Sequence, residues 1–423
     1  MLLTIKSQRL KFPNRQQAAQ KQYTTPEDLV GSPGCCLYVN PEVASPRVTA
    51  LSAVMEGRFV SHKISRVRWL PVSGSSLQLP EYFATGSWDA EQNKVCLWET
   101  TNIEGIETDQ LFLEDPKPLC SINHQGDVMD LQFLDQERII TASSTGSVIL
   151  FRCHLNDQKL SILQEWERAH YHSHSNAPCT SLVCNGPEII SVGEDGRINH
   201  LQADQKEPVR TIDNADSSSL NAVTFLRTTE VLTVNSIGQL KIWDFRQPGN
   251  KPRQIYSLTG DRVPLHCVDR HPNQQHIVAT GGQDGTFCIW DVRQGSIPIS
   301  LLDAHSAEMW EVHFHPSNPD HVFTCSEDGS LWHWNASVTT PDLPSFLQQG
   351  RRNFSVSGSG ANVDLNQSVT CAWLTMDAAK GRVDISNLLS AYVLSVNSLD
   401  VVGEQLVCGT DGEAVYITHD LEL

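Results

Sequence analysis

Residues 276–293 read HIVATGGQDGTFCIWDVR. An apolar run, Ile277-Val278-Ala279, meets a turn of small residues carrying Asp284-Gly285. A second apolar run then closes on Trp290-Asp291. Two β-prone runs joined by an Asp-Gly turn are a hairpin signal, because glycine supplies the positive φ that such turns need. The pattern returns in EYFATGSWDAEQNKVCLWE (81–99), RIITASSTGSVILFR (138–152), EIISVGEDGRINHLQ (188–202), EVLTVNSIGQLKIWDFR (230–246), HVFTCSEDGSLWHWNAS (321–337) and EQLVCGTDGEAVYIT (404–418). That makes seven copies, spaced at roughly 40–55 residues.

Each copy has another strand ahead of it: KISRVRWL, DVMDLQFL, PCTSLVC, LNAVTFL, PLHCVDRHP, MWEVHFHP and SVNSLDVV. In MWEVHFH the alternation predicts that Trp310, Val312 and Phe314 share one face, with His313 and His315 opposite, near the ring's axis or top surface. PLCSIN, EPVRTID and IPISLLDAH supply a fourth strand in the linkers. A period in the forties with Trp-Asp endings is the signature of a β-propeller. The predicted fold is all-β, a seven-bladed WD-repeat β-propeller in which radial repetition leaves only short sheet edges.

The chain ends at Leu423, directly after the third strand of the seventh copy. A strand near residues 57–62, GRFVSH, is therefore expected to close blade seven. The propeller is expected to occupy 55–423. An insertion of about 336–394 separates copies six and seven: its first part is loop-like, and QSVTCAWLT or, preferably, VDISNLL is the outer strand of blade six. Residues 1–54 carry six bases and three acids, with Pro13, Pro26, Pro33, Pro41 and Pro46, and read as a flexible basic extension, disordered in character. A transit peptide is one formal reading of its first 26 residues; an extension or alternative start ahead of Met55 is the other.

Acids outnumber bases 49 to 31, for a net charge of −18. Nucleic acid and anionic membrane surfaces both ask for a surplus of Lys and Arg. Neither is expected as a direct partner, and no run reaches the roughly 20 apolar residues of a membrane span. Twelve Cys without any C-x-x-C pair, many inside β-like runs, read as small core residues of a reducing compartment.

In copy six, His305, Thr324, Asp328 and Trp334 are spaced for a structural hydrogen-bond relay: imidazole to carboxylate, hydroxyl to imidazole, indole N–H to hydroxyl. Such a relay satisfies polar groups whose burial would otherwise cost about 1–3 kcal/mol each. A catalytic reading lacks a nucleophile. Copy five keeps Thr280, Asp284 and Trp290 without the histidine. Copies two and four put Thr145 and Ile237 in place of the aspartate and are expected to lean on apolar packing. One of His170, His172 and His174 should serve as the turn histidine of copy three; their one-residue gaps suit a zinc site poorly. No phosphate loop or nucleophile elbow is present. No catalytic residue, cofactor or metal is assigned.

Arg246 and Arg293 close the two W-D-x-R endings. VATGGQDGTFCIWDVR resembles the box by which WD-repeat substrate receptors dock on a cullin ubiquitin-ligase adaptor, and the same arginines can pair with their own aspartates. Trp373, in the insertion, is a candidate anchor for a partner on the rim of blades six and seven, its alternative being a core residue.

Text outside the generic repeat, including HQGDVMDLQFLDQERI, RTIDNADSSSLNAVTFL, LTGDRVPLHCVDRHPNQQH and AEMWEVHFHPSNP, resembles a WD-repeat nucleoporin of the Y-shaped outer-ring scaffold complex of the nuclear pore. The likeness runs from about Glu56 to the C-terminus. It implies a non-enzymatic scaffold subunit at the nuclear envelope, with helical-solenoid and propeller nucleoporins as partners. It also implies support of protein and mRNA transport, and a kinetochore role in mitosis. The alternative is a substrate receptor of a cullin ligase.

Overall fold

The computed structural model describes residues 55–72, 79–100, 115–258, 262–337, 372–374, 383–389 and 393–423. The extension expected over 1–54 and most of the loop expected after Ala336 lie outside them. Every regular element among the described residues is a β-strand, and the strands form seven four-stranded antiparallel sheets. The innermost strands of blades one to seven are Ile64–Trp69, Val128–Phe133, Cys179–Asn185, Leu220–Arg227, Leu265–Arg270, Met309–Phe314 and Val396–Val402.

Six blades step outward in chain order. Blade seven is composite. Its outer strand is Glu56–Phe59, paired with the last strand of the chain from Glu56 opposite Ile417 to Phe59 opposite Ala414. Val60 adds one bond to the Glu413 carbonyl at 2.8 Å. Ser61 then takes a positive φ of 62° and ends the strand short of His62. In blade six the outer strand is Asp384–Asn387, within VDISNLL, paired to Leu331–Asn335.

The second strands are buried along their whole length in several blades, as in Ile277–Gly282 and His321–Ser326. Both of their faces pack on neighbouring blades, and the apolar clusters accordingly straddle blade boundaries. One joins Phe287 and Ile289 of blade five to Val312, Phe314 and Trp334 of blade six. Another joins Phe323 and Leu331 of blade six to Val396, Leu399 and Leu406 of blade seven. Gly409 of blade seven lies so close to Ile64 of blade one that a Cβ there would collide with it, and Gly86 stands in the same relation to Val128 of blade two.

Every innermost strand carries a β-bulge at its second residue: Ser65, Met129, Thr180, Asn221, His266, Trp310 and Asn397. A bulge inserts a residue and re-aims those that follow. This corrects the simple alternation expected in MWEVHFH. Met309, Val312 and Phe314 face blade five, whereas Trp310 packs on the cluster shared with blade seven and donates its indole N–H to Ser395 at 3.2 Å.

Candidate functional site

The bulges create a ring of polar bonds around the axis. The side chain of a bulged residue reaches the carbonyl of the first residue of the next inner strand in three junctions: Thr180 to Leu220, Asn221 to Leu265 and Asn397 to Ile64. Carboxylates farther along these strands accept backbone N–H groups from the next blade. Asp130 takes Leu182 at 2.9 Å, Asp269 takes Phe314 at 2.8 Å, Glu311 takes Leu399 at 2.9 Å and Asp400 takes Trp69 at 2.7 Å. They surround an axial cavity of about 370 Å³.

Arg68 bridges this ring across three blades. From blade one its guanidinium meets both oxygens of Glu311 in blade six, at 2.9 and 3.2 Å, and bonds Ser398 and the Leu399 carbonyl of blade seven on the way. Burial disfavours both charges, but each holds the other ionised: Glu311 lies well below the usual carboxylate range and Arg68 is raised. Burial also acts against a charged His313, yet its bond to Glu311 at 3.3 Å raises its pKa. Asp269 and Asp400, half-buried at the cavity wall, are pushed up by desolvation. The axial channel is thus polar and charged, which the sequence did not reveal. The feature that could have shown it is the recurrence of charged residues one and three places after the bulge, as in Arg66 and Arg68 or Glu311 and His313. Its carboxylates are occupied by backbone and guanidinium donors, and among the described residues no three His, Cys, Asp or Glu side chains converge as a metal site.

The four relay residues of copy six come together. Trp334 donates to the Thr324 hydroxyl at 2.9 Å, and that hydroxyl meets His305 Nε2 at 2.8 Å. Ser330 is an added member. It receives His305 Nδ1 at 2.9 Å and donates onward to Asp328, whose other oxygen is 3.4 Å from the ring. Burial opposes ionisation of Asp328, but bonds from His305, Ser330 and Ser306 outweigh it and hold the carboxyl below its ordinary range. In blade three His170, of the three candidates, fills the turn position, bonding Asp195 and Ser191 at 2.9 Å each. Blade five keeps the Trp290–Thr280 bond at 2.9 Å.

Blades two and four do not rest on apolar packing alone. His124 meets Thr141 at 3.0 Å and the Gly126 carbonyl at 3.0 Å in blade two. In blade four Asp216 takes the turn position and forms a buried ion pair with Lys241 at 2.7 Å, joined by Asn235 at 2.8 Å. A search for histidine alone misses this substitute.

Arg246 and Arg293 each turn back on their own aspartates, Asp244 and Asp291, with shortest contacts of 2.8 and 2.7 Å. Trp373 is fully buried, against the expectation of a docking anchor. Its ring meets Phe287 and Phe314 edge-on at 6.1 and 6.2 Å, and its indole N–H donates to the Pro319 carbonyl. It plugs the core between blades five and six and presents no surface to a partner. The two histidines of MWEVHFH part company: His313 faces the axis, while His315 bonds the Gly403 carbonyl at 2.8 Å.

A family model described as WD domain, G-beta repeat matches residues 252–291 and 296–335. Each match joins the outer strand of one blade to three strands of the next, the same offset that makes blade seven composite. The chain is 63% identical over 372 residues to human "Nucleoporin Nup43", covering 86% of this chain and 98% of the relative. It is 62% identical to the mouse protein of that name over the same shares, and 29% identical over 148 residues to "Nuclear pore complex protein nup43" of Dictyostelium discoideum, 35% of each chain.

Proposed function

The chain belongs to the Nup43 family of WD-repeat nucleoporins, and on that premise we propose that it is a structural subunit of the nuclear pore complex. The observation that carries this reading is the identity of 63% spread over 86% of the chain, far beyond the repeat motif itself. A ring of packed blades with loops on two faces suits protein partners. Its action is scaffolding rather than catalysis, a reading supported by the commitment of the axial carboxylates to structural bonds.

At finer grain, the partners are the helical-solenoid and propeller subunits of the Y-shaped outer-ring complex. The outcome is support of protein and mRNA transport, and the protein joins kinetochores in mitosis. Residues 55–423 act as one folding unit. The experiment is expression of the tagged chain in cells, followed by imaging through the cell cycle and by affinity purification. Rim fluorescence, with nucleoporins dominating the recovered proteins, is expected. Diffuse signal, with a cullin adaptor in their place, would overturn the reading.

A further inference from the structure

The rim between blades four and five carries an apolar stripe that the ring does not use. Ile297, Ile299 and Leu301 are 51%, 41% and 53% exposed. Leu301 pairs with Cys288, and Ile299 donates its N–H to the Ile289 carbonyl. Cys288 belongs to the cluster shared with blade four, so Leu301 lies on the face turned toward that blade. Ser257 of blade four donates its N–H to the Ser296 carbonyl at 3.1 Å, and the Tyr256 hydroxyl bonds the Val292 carbonyl. The two outer edges are thereby tied together beneath the stripe. From Gln294 to Leu302 the sequence carries no charge. The edge strand Ser300–Asp303 carries one exposed charge, Asp303, at its far end; an aliphatic edge otherwise free of charge invites association, and proteins ordinarily blunt one with charge.

At the Gln294 end of the stripe the exposed charges are cationic, whereas Asp303, two residues past Leu301 on the same face, is exposed at the other end. Arg246, Arg253 and Arg293 are exposed, while their partners Asp244, Glu230 and Asp291 are buried beneath them. The Tyr256 hydroxyl bonds the carbonyl of Val292, the residue between Asp291 and Arg293, and Arg253, three residues before Tyr256, shares Glu230 with Arg246, which places this charged border beside the two outer strands. On a chain of net charge −18, this rim combines outward cations with aliphatic side chains.

We infer that the groove between blades four and five docks an acidic, aliphatic segment of another nucleoporin: aliphatic side chains lie along Ile297, Ile299 and Leu301, and Asp or Glu side chains meet Arg246, Arg253 and Arg293. The assignment of the partner to the pore rests on the function proposed above; the groove's chemistry rests on the geometry. Acidic segments are repelled by most of this molecule, so complementarity here gives register and choice of partner.

The test places a photo-crosslinking amino acid at Ile299 in the tagged full chain expressed in cells, with a control at Leu163, exposed on the rim of blade two. Mass spectrometry identifies the captured peptide. Capture at Ile299, not at Leu163, of an Asp/Glu-rich aliphatic peptide from another nucleoporin is expected. Ile299→Ser with Leu301→Ser should melt within about 2 °C of wild type. The same variant should lower recovery of that nucleoporin about tenfold or more. Arg293→Glu should lower it in a manner that raised salt reproduces in the wild type. Capture of a second copy of this chain, of a basic segment, or of nothing while the protein sits at the nuclear rim overturns the groove and leaves the pore reading intact. Absence from the rim overturns the pore reading and this assignment with it.

Discussion

At the scale of single residues, the relay of blade six and the histidine pair beside it make opposite use of imidazole. His305 is a satisfied hinge between a hydroxyl and a carboxylate. Asp328→Ala removes the carboxylate that orients it and is expected to cost about 1–3 kcal/mol by thermal or chemical melting. Thr145→Ala, where only Ser143 and Ser147 hydroxyls are lost, should cost less. Because Asp328 is depressed in the folded state, its contribution is present at neutral pH and is lost as pH falls below the usual carboxylate range near 4. His321 and His333 share one hydrogen bond at 2.7 Å with their rings stacked, and Phe323 covers His333. Burial, and then the neighbouring His321 and His315, lower His333 from 6.5 to about 3. Between those values the unfolded chain takes up a proton that the folded chain refuses, so stability declines as pH falls from 6.5 toward 3. His333→Gln should flatten part of the drop in melting temperature between pH 7 and pH 5; an unchanged slope would place the titration elsewhere. The relay in blade six was legible because its four residues sit at fixed offsets in a repeat. His333 was not, since its partner lies across a strand pair and only register brings the two rings together.

At the scale of elements, the seven hairpins were legible from their Asp-Gly turns and Trp endings, and the outer strand of blade six from its apolar text. The bulges were hidden. One extra residue leaves composition untouched while reversing which side chains face which blade, and so Trp310 was placed on the wrong face. Trp373 was ambiguous because a lone tryptophan in a short apolar stretch after a long loop reads equally as anchor or plug; only the contacts with Phe287 and Phe314 decide. Trp373→Ala should therefore destabilise the ring by about 3–5 kcal/mol, as loss of a large core side chain does. Any loss of partner binding should then follow unfolding. The closing strand makes a second test. Truncation of residues 1–60 strips the partner from Ala414–Ile417 and removes Met55 and Val60 from the core. The exposed edge should aggregate on heating, while truncation of residues 1–54 should leave melting nearly unchanged. Equal behaviour of the two chains, by light scattering and calorimetry, would mean that blade seven holds without its borrowed strand.

At the scale of the whole molecule, the ring is closed twice, once at the rim by the borrowed strand and once at the axis by Arg68. The charge that the sequence spends on the axis could not be assigned beforehand, because Arg68 and Glu311 lie 243 positions apart and belong to blades one and six. Arg68→Met takes the bidentate partner from buried Glu311 and leaves it Arg66, at 3.5 Å, as its remaining guanidinium, and is expected to cost about 3 kcal/mol. Arg68→Met with Glu311→Leu should recover much of that loss, since a buried pair replaced by apolar groups is often close to neutral. A double variant as unstable as the single one would show that the arginine's bonds to Ser398 and Leu399, rather than the ion pair, hold the junction. The rim closure has a mechanical side. Glu56 pairs with Ile417, so the strand that begins the ring and the strand that ends it meet at their outermost residues. Tension applied through the two chain ends would load that first pair alone and then each next pair in turn. The ring would unzip at low force from blade seven, whereas the same tension drawn across two middle blades would have to shear whole sheets at once.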